Sequence, residues 1–320
     1  MAESTAAVKR PAVSAQTDTE AKRKKRVRDR KEKLLAFCLL LPTILVFAIF
    51  MFWPILRTIE LSFFDWNMVS PDKEFVGLGN YQEILTDPTF HKVLCNTVWY
   101  ILLFILIDFV LPYIISFVLS FVIKKGRSFY KTALFTPSLI SLVVGAIIMS
   151  WILNPLSGPI ATIVKAFGGD FPIWSQTSGL VIVVLCLITS WKIFGYNVIV
   201  LMAGVASVPM ELIETAKLEK TPNWEIFLKI IVPMSSSTGI YTLLITLIWG
   251  LQWVFTPISV LTQGGPNNGS SNLVYAVYKE AFTVFQTGSA SAMAVLAMLL
   301  FGLLLFLEIR FVEKGIYYEN

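Results

Sequence analysis

Long apolar runs separated by shorter polar segments dominate the pattern of this chain. Six segments stand out for their length and low polarity: 34–56, 97–123, 129–153, 179–205, 239–261 and 290–309. A helix rises 1.5 Å per residue, so about 20 apolar residues cross the hydrocarbon core of a bilayer. The pattern therefore predicts an all-α membrane protein with six transmembrane helices over residues 34–309.

The distribution of Lys and Arg predicts how these helices are oriented. With a cytoplasmic N-terminus, the inner segments hold twenty Lys/Arg and the outer segments five, while Lys192 falls inside a span. Short cytoplasmic loops carry such an excess. We therefore expect both termini to be cytoplasmic, residues 310–320 to form a short tail, and the turn-rich segment "TQGGPNNGSS" to be an exposed outer loop.

The first 33 residues hold most of the chain's excess positive charge. They contain eleven Lys/Arg against five Asp/Glu. Such a cluster can bind nucleic acid or direct nuclear import. Because an apolar run follows directly, residues 1–33 are better interpreted as a disordered basic cytoplasmic tail near membrane lipid, with no nucleic-acid partner.

Residue types that carry catalysis or hold metals are scarce. The chain has three cysteines, far apart and without a CxxC motif, and one histidine, His91. A disulfide framework, a metal cluster and a Ser-His or Cys-His active site are therefore poorly supplied. The sequence predicts neither an enzyme nor a resident cofactor in this chain.

The predicted cytoplasmic loop 209–233 is charged, although it lies between two strongly apolar runs. Its pattern predicts two short helices, with Thr221 as N-cap and Pro222 as first residue of the second. Glu225 and Lys229 are spaced for an ion pair along that helix. Apolar residues follow helical spacing there and predict one ridge: Trp224, Phe227, Leu228 and Ile231.

Two interpretations of this loop remain open on charge alone. An amphipathic hairpin resting on lipid headgroups would favour Lys and Arg on its polar edge. The segment 211–233 instead holds four Glu against three Lys. This balance favours a docking element for a soluble partner.

The loop also resembles the EAA loop of permease subunits from binding-protein-dependent ABC importers. That motif reads Glu-Ala-Ala, three residues, Gly, nine residues and Ile-x-Leu-Pro. Here Glu214-Thr215-Ala216 takes the first place, and Ile230-Ile231-Val232-Pro233 follows at the matching spacing. Thr215 replaces an Ala, and Lys220 stands where Gly is usual, so a differently shaped turn is expected, with Pro222 supplying the break.

Other short matches extend the resemblance over nearly the whole chain. They are "FVGLGNY" (75–81), "NPLSGPI" (154–160), "LTQGGP" (261–266) and "IRFVEKG" (309–315). In this order they are similar to the carbohydrate branch, closest to permeases for sn-glycerol-3-phosphate and multiple sugars. The resemblance implies the type I ABC importer permease fold in a bacterial plasma membrane.

The resemblance also implies partners and a coupling site. The expected partners are a second homologous permease, two cytoplasmic ATPase subunits that bind ATP and Mg, and an extracytoplasmic solute-binding protein. Glu214, Ala216 and the ridge of Trp224 and Phe227 are implied to couple to the ATPase. The full coupling set adds three residues: Thr215, Lys220 and Pro233.

Polar and aromatic residues inside the spans are candidates for the substrate pathway. Asp108 and Lys192 are charged at mid-span and could form an ion pair. Aromatic faces beside an amide suit sugars. The pathway candidates, several of them implied by the resemblance, are Lys192, Tyr196, Trp249, Gly250, Gln252 and Trp253. Ordinary helix packing of the aromatic residues and a structural ion pair or snorkelling of Lys192 remain alternatives.

Together these features predict a permease subunit of an ATP-driven importer for a sugar, an oligosaccharide or a glycerol-3-phosphate-like solute. The alternative is a secondary transporter driven by an ion gradient. That class favours inverted repeats and several intramembrane acids. Asp108 is the one clear carboxylate at depth in the sequence, and no repeat is apparent.

Overall fold

The structure is a computed structural model; it describes residues 31, 33–123 and 125–312, the last two by their backbone. Most of the tail predicted over 1–33 and most of that predicted over 310–320 therefore lie outside the described residues. The chain forms two compact units, Met1–Arg57 and Thr58–Asn320. The first described helix, α1, runs over Lys33–Leu61 and is long and apolar enough to cross a membrane.

Eleven further helices matter for the site. In chain order, α2 to α12 are Gly79–Thr86, Pro88–Val122, Arg127–Leu139, Leu142–Ile152, Pro159–Ala166, Leu180–Ala206, Met210–Leu218, residues 223–234, Ser236–Thr262, Leu273–Lys279 and Thr287–Val312. By length and composition α1, α3, α7, α10 and α12 can each span a membrane. The pair α4 and α5 supplies a sixth span if it is counted as one.

The third predicted span, 129–153, is not one helix. Helices α4 and α5 meet at an angle of 105°. Pro137 lacks the N–H that would continue the α-helical ladder, and Thr136–Leu139 tightens into a 3₁₀ turn. Ile140 is then extended, with ψ of 140°. The break is therefore a local effect of the proline that the apolar pattern conceals.

Helix α7 occupies the centre of the second unit and is the most buried of the five spanning helices. Small residues let its neighbours approach closely. A Cβ at Gly195 would collide with the carbonyl of Leu134 in α4. A Cβ at Gly204 would lie 2.5 Å from Cβ of Thr238 in α10. Close packing through small residues is the usual way helices associate in lipid.

The face predicted as extracytoplasmic carries a short antiparallel ladder, which is an addition to the predicted all-α fold. Strands β1 (Phe64–Asp65) and β2 (Glu74–Phe75) pair with Phe64 opposite Phe75. Asn80 of α2 donates from Nδ2 to the Phe64 carbonyl at 2.9 Å, tying the ladder to the helix. This ladder is the one sheet among the described residues, and the other elements are helices.

The loop 263–272 on the same face is packed rather than exposed. Asn96 of α3 donates to the carbonyls of Asn268 and Ser271 at 2.8 and 3.0 Å. Tyr100 donates to the Ser270 carbonyl at 2.9 Å, and Ser270 and Ser271 are buried. Side chains of α3 replace water as partners for this backbone, so the expectation of a wet loop is wrong here.

Candidate functional site

Lys192 braces the broken span. Its Nζ donates to the carbonyls of Ser138 and Ile140, each at 2.7 Å. These carbonyls lie at the break after α4, where no helical N–H can reach them. The same Nζ lies 5.7 Å from the ring centroid of Trp253 in α10. Lys192 therefore has a structural role, as one alternative interpretation expected, but its partners are backbone carbonyls and not a carboxylate.

Three of the predicted pathway residues form an aromatic cluster between α7 and α10. Tyr196 and Trp249 have ring centroids 4.9 Å apart, and Trp249 stacks on Trp253 at 4.7 Å with planes 9° apart. Tyr196, Trp249 and Trp253 are all half-buried. With the ammonium group of Lys192 at one end, the cluster offers apolar ring faces beside a positive charge.

Two other predicted pathway residues point elsewhere. Gly250 is buried, and a Cβ there would lie 2.7 Å from Cδ2 of Phe104, so this glycine serves packing between α10 and α3. Gln252 lines a separate apolar cavity of about 210 Å³ with residues such as Ile101 and Phe301. Successive residues of a helix are rotated by about 100° around its axis. Gly250 and Gln252 therefore point in other directions than Trp249 and Trp253, although they are their neighbours in sequence.

Asp108 belongs to a buried polar cluster that joins three spans. Its Oδ2 accepts from Ser190 Oγ of α7 at 2.6 Å. Its backbone carbonyl accepts from Asn197 Nδ2 of α7 and, at 3.3 Å, from Thr246 Oγ1 of α10. That carbonyl needs outside donors because Pro112, four residues later, has no N–H. The cluster therefore follows from a proline that interrupts the α3 ladder.

The ion pair considered between Asp108 and Lys192 is not formed, since each has the partners described above. Sequence reasoning also missed Ser190, Asn197 and Thr246. The available signal was Pro112, four residues after Asp108, because a proline there leaves the Asp108 carbonyl without its helical N–H donor. Among the described residues, no group of three or more His, Cys, Asp or Glu side chains is arranged to hold a metal ion.

Helix α8 forms the first half of the predicted coupling loop. Ile213 and Ala216 are buried, whereas Glu214 is exposed on the opposite side. Thr215, also exposed, donates from Oγ1 to the Glu211 carbonyl at 2.8 Å. Thr in place of Ala is thus accommodated on the solvent side without disturbing the buried face. Ala216 serves packing, and Glu214 is available to a partner.

The turn after α8 has the geometry for which glycine is normally required. Lys220 adopts a left-handed backbone with φ of +59°. Its N–H donates to the Lys217 carbonyl, and Thr221 N–H donates to the Ala216 carbonyl, both at 3.0 Å. These are the two bonds of a Schellman motif. The expectation of a differently shaped turn is therefore wrong, because Lys220 adopts the conformation that glycine favours.

The second half of the loop, α9, presents a different ridge from the predicted one. Trp224 and Leu228 are 61% and 54% exposed. Phe227 instead turns inward, with its ring 5.6 Å from Tyr113 and 5.4 Å from Phe117. The segment Phe227–Ile231 is a π-helix, whose wider turn shifts side chains away from 3.6-residue spacing.

The start of α9 lies close to the predicted position, and its predicted ion pair is formed. The cap position is held by Pro222 and the helix begins at Asn223, one residue later than predicted. The predicted pair of Glu225 and Lys229 is confirmed as an ion pair. Pro233 is half-buried within the last turn of α9.

Tyr113 connects the predicted coupling loop to the spans, a contact that the sequence did not predict. Its Oη is hydrogen-bonded to Ser235 Oγ at 2.7 Å, and its ring packs edge-on against Phe227. Ser235 lies at the junction of α9 and α10. Tyr113 belongs to α3, and Ser235 immediately precedes α10. A displacement of α9 would therefore act on both of these spanning helices.

The sequence and the fold both match known transport proteins. Residues 124–317 match the family described as "Binding-protein-dependent transport system inner membrane component". The chain is 31% identical over 288 residues to the probable ABC transporter permease protein YurN of Bacillus subtilis (strain 168), covering 89% of this chain and 98% of that protein. It is 30% identical over 291 residues to the sn-glycerol-3-phosphate transport system permease protein UgpA of Brucella abortus biovar 1 (strain 9-941), covering 90% and 97%.

Solved structures share the fold. One is the crystal structure of a bacterial ABC transporter involved in the import of the acidic polysaccharide alginate, with a TM-score of 0.76 and 22% identity, covering 91% of this chain and 99% of that chain. Another is a bacterial alginate ABC transporter in complex with alginate pentasaccharide-bound periplasmic protein, with a TM-score of 0.73, 22% identity and coverage of 90% and 94%. The predicted permease fold is thereby confirmed.

Proposed function

The chain belongs to the family of binding-protein-dependent transport system inner membrane components, and from this premise we propose which solute it carries and how it is coupled. It is a multi-pass inner membrane protein and a permease subunit of an ABC importer, not an enzyme. The alternative of a secondary transporter driven by an ion gradient is therefore set aside.

The proposed solute is a sugar, an oligosaccharide or a glycerol-3-phosphate-like compound. The aromatic cluster of Tyr196, Trp249 and Trp253 supports this, since sugar rings pack their C–H faces on aromatic rings while their hydroxyls seek polar groups. Two of the similar proteins are named for acidic solutes, sn-glycerol-3-phosphate and alginate. A cation beside the cluster supports a solute with negative charge.

Lys192 supplies that cation in our proposal. An ammonium group has three N–H donors, and two of them are used on the carbonyls of Ser138 and Ile140. The remaining donor and the charge are available to an anionic group near Trp253. Lys192 would then bind solute and brace the break between α4 and α5 at the same time.

The coupling surface in our proposal is the exposed side of α8 and α9. Its members are Glu214, Leu218, Trp224 and Leu228, of which Leu218 is 84% exposed. Large apolar side chains exposed beside a carboxylate suit a groove on a soluble partner. We propose that this surface binds one of two cytoplasmic ATPase subunits, which bind ATP and Mg. Phe227 is not part of the surface, because its ring packs inward against Tyr113 and Phe117.

The proposed importer contains a second homologous permease and an extracytoplasmic solute-binding protein. The excess of Lys and Arg supports cytoplasmic termini, which would put loop 209–233 on the ATPase side and loop 263–272 on the binding-protein side. The single observation that carries the proposal is the family match over residues 124–317, which includes both the coupling loop and the aromatic cluster.

Reconstituted transport tests this proposal. We expect solute uptake into proteoliposomes to require ATP, the ATPase subunits and the binding protein, and to persist without an ion gradient. Lys192→Ala should reduce uptake of an acidic solute about tenfold more than of a neutral one, because one charge-assisted hydrogen bond is lost. Equal loss for both solutes, with intact assembly, would leave Lys192 only its bracing role.

A further inference from the structure

A second cavity lies beside the coupling loop, away from the aromatic cluster. It has a volume of about 450 Å³ and lies between the ends of α3, α4 and α7 and the start of α8. Its walls are mainly apolar, and the residues from α7 and α8 are Ile199, Met202, Ala203, Ala206 and Met210. A cavity of this kind can hold part of an amphipathic molecule.

The polar side of the cavity is cationic. Arg127 and Lys131, one turn apart on α4, both line it. Arg127 Nε donates to the Ile123 carbonyl, which holds the guanidinium at the wall. Ser120 also lines the cavity, and its buried Oγ has no hydrogen-bond partner among the described residues. No Asp or Glu is among the lining residues, so an anion would meet two positive charges and a hydroxyl.

The surroundings point to membrane lipid as the source of that anion. Phe129 and Tyr130, which lie between the two cations in sequence, are 72% and 45% exposed. Aromatic residues concentrate at the membrane–water interface, and Lys and Arg between spans bind anionic headgroups on the cytoplasmic side. A soluble anion such as phosphate would make no use of the apolar walls.

We propose that this cavity binds an anionic phospholipid of the cytoplasmic leaflet, with its phosphate at Arg127 and Lys131 and its glycerol and upper acyl carbons against α7. The assignment of leaflet rests on the proposed function, because the coupling loop must face the ATPase. Met210 begins α8, so the bound lipid would lie directly beside the coupling loop and support its position.

Lipid titration of the assembled importer tests the inference. The full-length permease with its partner subunits is stripped of lipid and titrated with phosphatidylglycerol, phosphatidylcholine or inorganic phosphate, and bound lipid is measured by native mass spectrometry. We expect phosphatidylglycerol to bind preferentially. Arg127→Gln with Lys131→Gln should weaken it about 30-fold, because each cation contributes a factor of about five.

Two further variants separate this site from general attraction to charge. Lys33→Gln with Lys125→Gln removes the same charge outside the cavity and should leave binding unchanged. Ala203→Phe fills the apolar side and should reduce phosphatidylglycerol binding without changing the charge. Equal binding of the two lipids, no effect of the Arg127 and Lys131 substitutions, or displacement by inorganic phosphate would overturn the proposal.

ATP-driven uptake, measured on the same preparations, distinguishes failure of the lipid site from failure of the proposed function. An importer that transports solute but shows no preference for phosphatidylglycerol refutes the lipid site alone. A protein that binds phosphatidylglycerol as described but transports nothing refutes the proposed function and the leaflet assignment that depends on it.

Discussion

Replacing Lys220 by glycine should stabilise the turn between α8 and α9. Lys220 has φ of +59° and holds the position at which a Schellman motif favours glycine. A left-handed backbone costs a residue with a Cβ about 1–2 kcal/mol. Glycine removes this cost but loses more conformational entropy on folding, roughly 0.5–1 kcal/mol. The net gain should be about 0.5–1 kcal/mol.

Amide hydrogen exchange measures this gain at the turn itself. The Thr221 N–H is bonded to the Ala216 carbonyl at 3.0 Å and exchanges only when the turn opens. A gain of about 0.5–1 kcal/mol lowers the open population about two- to fivefold. Lys220→Gly should therefore slow exchange of this amide by that factor, measured on peptides that include Thr221.

Two single-charge controls isolate the backbone effect. Lys220→Ala loses the same charge but keeps a Cβ, so Thr221 should exchange at about the wild-type rate. Lys217→Gly places glycine inside α8, where it should speed exchange because glycine costs about 1 kcal/mol in a helix. If Lys220→Gly and Lys220→Ala behaved alike, strain at this position would not be the cause, and the reasoning would be refuted.

Three further predictions address the proposed coupling surface, the buried cluster around Asp108, and Glu280 on the face predicted as extracytoplasmic. Glu214→Lys should reduce co-purification of the ATPase subunits while the permease stays folded, because Glu214 is exposed; unchanged recovery would remove it from the coupling surface. Asn197→Ala should lower the free energy of unfolding by about 1–3 kcal/mol, since Nδ2 satisfies the Asp108 carbonyl; an unchanged thermal midpoint would contradict this. Burial raises the pKa of Glu280, partly offset by a hydrogen bond to Ser289, so the folded state holds this proton more tightly than the unfolded state. Stability should therefore fall as pH rises above the ordinary Glu value of 4.5, and Glu280→Gln should remove that fall from the pH profile of thermal unfolding.

The apolar runs and the spacing of short motifs were sufficient to predict the class of protein. Twenty consecutive apolar residues can satisfy their backbone in lipid only by forming a helix, so composition determines the element. The EAA-like spacing of 214–216 and 230–233 is likewise local, and so is the pair of Glu225 and Lys229, which needs only one turn of helix.

The direction of side chains around these helices was decided by tertiary structure. Phe227 was predicted beside Trp224 but turns inward, because the π segment Phe227–Ile231 changes the period and Tyr113 offers a packing surface. Gly250 likewise faces Phe104 instead of the aromatic cluster. A helical period gives relative angles only while the helix remains regular, and the side it buries depends on the neighbouring helix.

The partners of buried polar groups were decided in the same way. Two charged residues in spans suggested an ion pair, yet Asp108 accepts from Ser190 and Lys192 donates to the carbonyls freed where the third span breaks. Prolines leave backbone carbonyls without intrahelical donors, and these compete for the same side chains. The sequence thus determined the helices and the EAA-like spacing of the loop 209–233. Which groups meet inside the bundle depended on where the breaks in those helices face one another.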